Sequence, residues 1–138
     1  MIQEDIVNEI KKKSGKVDEL PSIGGWHFVY NERHYIYMSG KKAGVIRICI
    51  PHLAKAEDYV PEFLSDVINK TNRNVKYVKA VILDCGSISL SYEHKGTDGK
   101  NVSEIIHHMI SALDFAATYL LLTAGAGLVE TQKNEKKV

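Results

Sequence analysis

The sequence predicts a single α+β domain in which helices cover one face of a five-stranded, mostly antiparallel sheet. Three observations lead there. Hydrophobic periodicity switches between the helical spacing of about 3.6 and the strand spacing of about 2 in the order α-β-β-β-α-β-β-α. Short polar or glycine-containing turns separate the strand-like runs and send the chain back on itself. No repeat and no long linker divides the 138 residues, a length that buries a core without staples.

Each element follows from its residues. Ile2, Ile6, Val7 and Ile10 share one helical face, with Glu4 and Asp5 early and Lys11-Lys12-Lys13 late, as the helix dipole prefers. Ser14-Gly15 is a stop signal, and a connector through Val17, Leu20 and Pro21 leads to Gly24-Gly25. The aromatic run Trp26–Tyr30, the polar Asn31-Glu32-Arg33 and the run His34–Met38 spell a hairpin. After Ser39-Gly40-Lys41-Lys42, a third strand covers Gly44 to Ile50 with Ile46, Ile48 and Ile50 on the core side, and Pro51 is expected to end it.

Pro61 marks a first helical turn, after which Phe63, Leu64, Val67 and Ile68 form a stripe that stops at Thr71-Asn72-Arg73-Asn74. Strands return at Val75–Leu83 and Ser87–Tyr92 around the turn Asp84-Cys85-Gly86. Ile88, Leu90 and Tyr92 alternate there with Ser87, Ser89 and Ser91, so one side of this sheet is wet. A loop from His94 to Lys100 precedes Asn101, which with Glu104 caps a last helix running to about Thr123. The domain is thus expected over 1–123, with 124–138 as a polar tail.

That last helix carries an apolar arc wider than one packing face. Ile105, Ile106, Met109, Ile110, Leu113, Ala116, Ala117, Leu120 and Leu121 suffice to pack on a sheet, and Phe115, Tyr119 and Leu122 lie outside that stripe. Met109, Leu113, Phe115, Tyr119 and Leu122 are therefore the candidate interface residues, with a homodimer or a protein partner to cover them.

Charge excludes some partners. With 18 basic against 17 acidic residues, the net charge of +1 creates no field to gather nucleic acid or an anionic membrane. The expected partner is a protein. Two isolated cysteines, Cys49 and Cys85, form no disulfide framework, and the acidic N-terminus is unlike a signal peptide. The longest apolar stretch, near Leu113–Leu122, is broken by Asp114 and is too short for a membrane span. A cytoplasmic protein is expected.

A search for chemistry finds little. His107 and His108 are adjacent and diverge by about 100° on a helix, so they cannot chelate one ion together. His27 and His34 are candidate neighbours across the hairpin, without a third ligand. Cys49 with His52, or Cys85 with His94, lacks an orienting third group. Neither Gly24-Gly25 nor Gly125-Ala126-Gly127 has the pattern of a phosphate loop. No catalytic residue, metal or cofactor is therefore assigned. The alternative is a small-molecule-binding regulatory domain or minor enzyme, its pocket between the aromatic hairpin (Trp26, Tyr30, Tyr35, Tyr37, with Tyr92 nearby) and the helices.

The stretches Ile68-Asn69-Lys70-Thr71-Asn72, Val78-Lys79-Ala80-Val81 and Ser87–Tyr92, followed by the long helix from Ser103 to Leu122, resemble the YbjN-like family. That resemblance implies the fold of type III secretion chaperones and a dimer-prone, protein-binding, regulatory or chaperone-like module without an active site. His107-His108 and the longer tail depart from the family pattern.

Overall fold

A computed structural model describes residues 3–39, 44–95 and 101–129. The expected turn at Gly40–Lys42, most of the loop before the last helix and the tail beyond Val129 lie outside these residues. The elements are α1 (Gln3–Ser14), β1 (Val17–Leu20), β2 (Gly25–Tyr30), β3 (Arg33–Ser39), β4 (Val45–Lys55), α2 (Pro61–Asn74), β5 (Val78–Ile82), β6 (Ser87–Lys95) and α3 (Val102–Ala124). The sheet has six strands in the order β1-β2-β3-β4-β6-β5, and every neighbouring pair is antiparallel.

The sixth strand is β1, which the sequence reads as connector. Its four residues, Val17-Asp18-Glu19-Leu20, do not alternate, so nothing local marks them as extended. Pairing with β2 makes the strand, through Val17 opposite Phe28 and Leu20 opposite Gly25. Pro51 likewise fails to end β4. The β4–β6 register shifts between Ile50 and Ala54, and Pro51 sits in that irregularity, where its missing N–H breaks no ladder. β5 begins at Val78 instead of Val75, because Tyr77 turns the chain with a φ of 70°.

One face of the sheet is the core face. Val17, Phe28, Tyr35, Ile50, Leu90 and Ala80 point to it, as do Trp26, Tyr37, Ile48, Tyr92 and Val78 in the adjacent row. The hairpin aromatics stack across strands, Trp26 on Tyr37 at 5.2 Å and Phe28 on Tyr35 at 5.1 Å. Phe28, Tyr35 and Tyr37 are at most 3% exposed and belong to the core, while Trp26 and Tyr30 are half-buried at its margin. The other face of β6 carries Ser87, Ser89 and Ser91; Ser89 is buried and its two neighbours are half-buried, so this side is drier than the serine alternation suggests.

Helix α3 lies centrally against β4 and β6, flanked by α1 and α2. It begins where the Asn101 side chain accepts from Ser103 N at 2.8 Å. Residues 102–127 are long and apolar enough to cross a membrane by length and composition; in this fold that apolar side faces the sheet. The chain after α3 does not leave at once. A short 3-10 turn (Gly125–Gly127) leads to Leu128, which bridges to Tyr59, while Val60 N donates to Gly127 O and Val129 N to Asp58 O. Gly127 must be small here, since a Cβ would come within 2.8 Å of the Phe63 ring.

Candidate functional site

The five interface candidates separate. Met109 and Leu113 are 0% exposed and belong to the domain's own core, so they have no surface to offer a partner. They sit on the same stripe as Ile106 and Ile110, which the sheet covers. Phe115 and Leu122 are the exposed pair, at 62% and 77%. Seven residues apart, they lie on one side of α3 about 10 Å from each other. Tyr119 is half-buried between them; its ring stacks on Phe115 and its hydroxyl accepts from Asn74 Nδ2 at 3.2 Å. The helix is therefore not apolar all round. Glu104, His107, His108, Ser111 and Thr118 line its solvent side, with α1 packed on one side of it and α2 on the other.

The flank of α3 towards α2 and β5 is an open ledge. One depression of about 520 Å³ is lined by Asn74–Tyr77 on one wall and by His107, His108, Ser111, Ala112 and Phe115 on the other. A second, of about 760 Å³, continues it towards the start of α3 and is lined by Tyr92–Lys95, Asn101, Glu104 and Ile105. Tyr77 and His108 border both. Tyr77 is the residue that sequence reasoning missed, since it reads there as an ordinary strand tyrosine. Its φ of 70° is uncommon for a bulky side chain and costs about 1–3 kcal/mol. The strain does not bury the ring, which stays 66% exposed. It places that ring on Tyr92 (5.7 Å, near-parallel), with His108 edge-on to Tyr77 at 5.5 Å and to Tyr92 at 5.8 Å. Burial and the neighbouring Tyr77 push the Tyr92 hydroxyl above the usual tyrosine range.

The opposite flank is tied shut. Arg33 Nη1 donates to Asp114 Oδ1 at 2.6 Å and Arg33 Nη2 to Thr118 Oγ1 at 3.1 Å. Asn31 Nδ2 reaches both Asp114 oxygens, at 3.1 and 3.3 Å, from a hairpin turn in which Asn31 and Glu32 both have positive φ. Lys13 at the end of α1 bonds His107 and lies over the Tyr30 ring at 5.1 Å; burial lowers its ammonium, with the Asp114 carboxylate opposing. Tyr35, beneath this clamp, has a buried hydroxyl that lies beside Asp114 without completing a hydrogen bond of good geometry. Burial first, and then the Asp114 charge, hold that hydroxyl far above the ordinary tyrosine range, with Arg33 opposing.

His27 and His34 do meet on the outer sheet face, Nε2 to Nδ1 at 2.8 Å, with Asp18 at 3.6 Å from His27. No group of three or more histidine, cysteine or acidic side chains suited to a metal occurs among the described residues. Cys49 is half-buried and burial raises its thiol. His52 bonds Ser87 Oγ at 2.8 Å and not Cys49. Cys85 is exposed in its turn, its thiol lowered by hydrogen bonds from Ser87, and His94 lies at the other end of β6.

Fold and site together define an antiparallel α+β domain whose distinctive surface is an aromatic ledge beside its central helix. No protein-family model matches the chain, and no curated protein matches it. Among solved structures, eight chains match. One is the crystal structure of YbjN from E. coli, described as a candidate transcription regulator, with a TM-score of 0.61 at 12% identity over 93% of this chain and 96% of that one. The chain has a YbjN-like fold.

Proposed function

We propose that this protein is a non-catalytic regulatory module that binds protein, acting first as a homodimer through the ledge beside α3. One observation carries the reading: Phe115 projects from the same helix side as a 520 Å³ depression floored by the small residues Ser111 and Ala112. A two-fold axis near Ser111 and Ala112 would set antiparallel copies of α3 together and place each Phe115 in the depression of the other copy, against Tyr77 and His108. Leu122 extends the apolar contact at the rim. The likeness in fold to YbjN, a candidate transcription regulator, supports the regulatory part of the reading. The two free thiols, Cys49 and Cys85, suit a reducing cytoplasm.

Light scattering after size exclusion tests this directly. The expected mass is that of two chains, falling to one in Phe115→Glu with unchanged circular dichroism. A wild-type chain that stays monomeric at about 100 μM, where even a weak specific dimer populates, overturns the dimer reading.

A further inference from the structure

We infer that the second depression, between Tyr92–Lys95 and the start of α3, is a binding site for a small organic ammonium ion with an aromatic or otherwise planar body. The site is built from four side chains. Tyr77, Tyr92 and His108 form a near-equilateral cluster of rings, with centroids 5.5 to 5.8 Å apart. Glu104 stands one helical turn before His108 on the wall of the same 760 Å³ depression.

Three features point to a ligand, and to its charge. Tyr77 is kept in a left-handed backbone conformation although its ring remains 66% exposed, so the strain is not repaid by burial of that ring. The turn from α2 into β5 imposes that conformation, and its consequence is that the Tyr77 ring is held in one place on the surface. Tyr92 is 6% exposed and backs Tyr77, so the open electron-rich face is that of Tyr77, where an ammonium group on a planar body gains both stacking and cation–π attraction. Glu104 makes no ion pair with any described residue, which leaves a carboxylate beside the rings to meet the ammonium. Of the other charges on this wall, Glu93 faces Arg47 at 3.9 Å, and Lys95 extends from the end of β6. The depression holds a body of one or two rings with room for ordered water. Tyr77 and His108 also border the depression that the proposed dimer would fill, so the titration is repeated in Phe115→Glu, where a loss of dimer and a loss of ligand binding are read separately.

Titration of the full chain with benzyltrimethylammonium, benzyl alcohol and phenylacetate, followed by amide chemical shifts, tests the inference. The cation is expected to bind best, with shifts centred on Tyr77, Glu104 and His108. Tyr77→Ala should weaken it about tenfold, and Tyr77→Phe should keep it. Glu104→Gln should remove the preference for the cation over the alcohol while leaving the fold intact. Tyr77→Gly separates binding from folding: it relieves the backbone strain, so the melting temperature should hold or rise while binding is lost. Equal shifts for all three probes, a preference for phenylacetate, or no saturable shift at millimolar cation each overturns the inference.

Discussion

The two flanks of α3 are built on opposite principles. Towards α1 and the β2–β3 hairpin, polar groups close the seam: Asp114 takes Arg33 and Asn31, and Lys13 reaches His107. Towards α2 and β5, the seam opens into a ledge where Tyr77, Phe115 and Leu122 stay exposed. One helix is thus stapled by polar contacts on one side and left with exposed rings on the other. Charged side chains at about one-fifth exposure are costly to leave unpaired, so the clamped flank resists opening. Covering the exposed rings would remove apolar surface from water, which is why the proposed interface is placed on the ledge.

The contrast can be broken from its strong side first. Asp114→Ala leaves Arg33 without its ion-pair partner and Asn31 without an acceptor, and should cost about 2–3 kcal/mol in urea unfolding, short of the loss expected for a fully buried pair. A loss below about 0.5 kcal/mol would place Asp114 among ordinary surface groups. Next comes Asn72→Ala. The Asn72 amide pairs with β5 as a strand would, accepting from Ala80 N at 2.7 Å and donating to Ala80 O at 3.0 Å. Its removal should cost about 1–2 kcal/mol and expose the β5 edge to strand pairing, visible as aggregation on heating.

Alkaline titration sharpens the comparison. Tyr35, Tyr37, Tyr59 and Tyr92 all have hydroxyls raised by burial, with the largest displacement at Tyr35 under the clamp. Their folded state favours the neutral phenol, so the stability they lend is complete below the ordinary value of about 10 and declines as the pH rises beyond it. Absorbance at the tyrosinate band should lag free tyrosine until the chain unfolds. Tyr35→Phe removes an unpaired buried hydroxyl, should change stability by no more than about 1 kcal/mol, and should flatten that alkaline loss. The smallest effect on folding of the monomer is expected for Phe115→Glu, within about 0.5 kcal/mol when measured below the concentration at which the chain dimerises, because the ring is 62% exposed.

Much of the fold was legible because period and punctuation agree locally. Ile46, Ile48 and Ile50 against Arg47 and Cys49 specify a strand face, and the buried Ile106, Met109, Ile110 and Leu113 specify a helix stripe. β1 was not legible, because four residues without alternation become a strand only when β2 supplies their hydrogen bonds. The site was half legible. Phe115 and Leu122 stand out as apolar residues off the core stripe, whereas Met109 and Leu113 lie on it and were claimed by the sheet. Tyr77 gave no warning. A tyrosine between Lys76 and Val78 reads as strand, and its positive φ arises only where α2 must turn into β5 beneath Tyr92.

The sequence by itself determined the class, the helix faces and five of the strands, because each depends on side-chain order over a few residues. Tertiary structure alone decided that the sheet gains a sixth strand, that Pro51 sits within β4, and that residues 125–129 fold back onto α2's start. It also decided which flank of α3 is clamped and which is open. Those outcomes depend on which distant groups meet, and Asp114 with Arg33 or Tyr77 with His108 become neighbours only when the chain has closed.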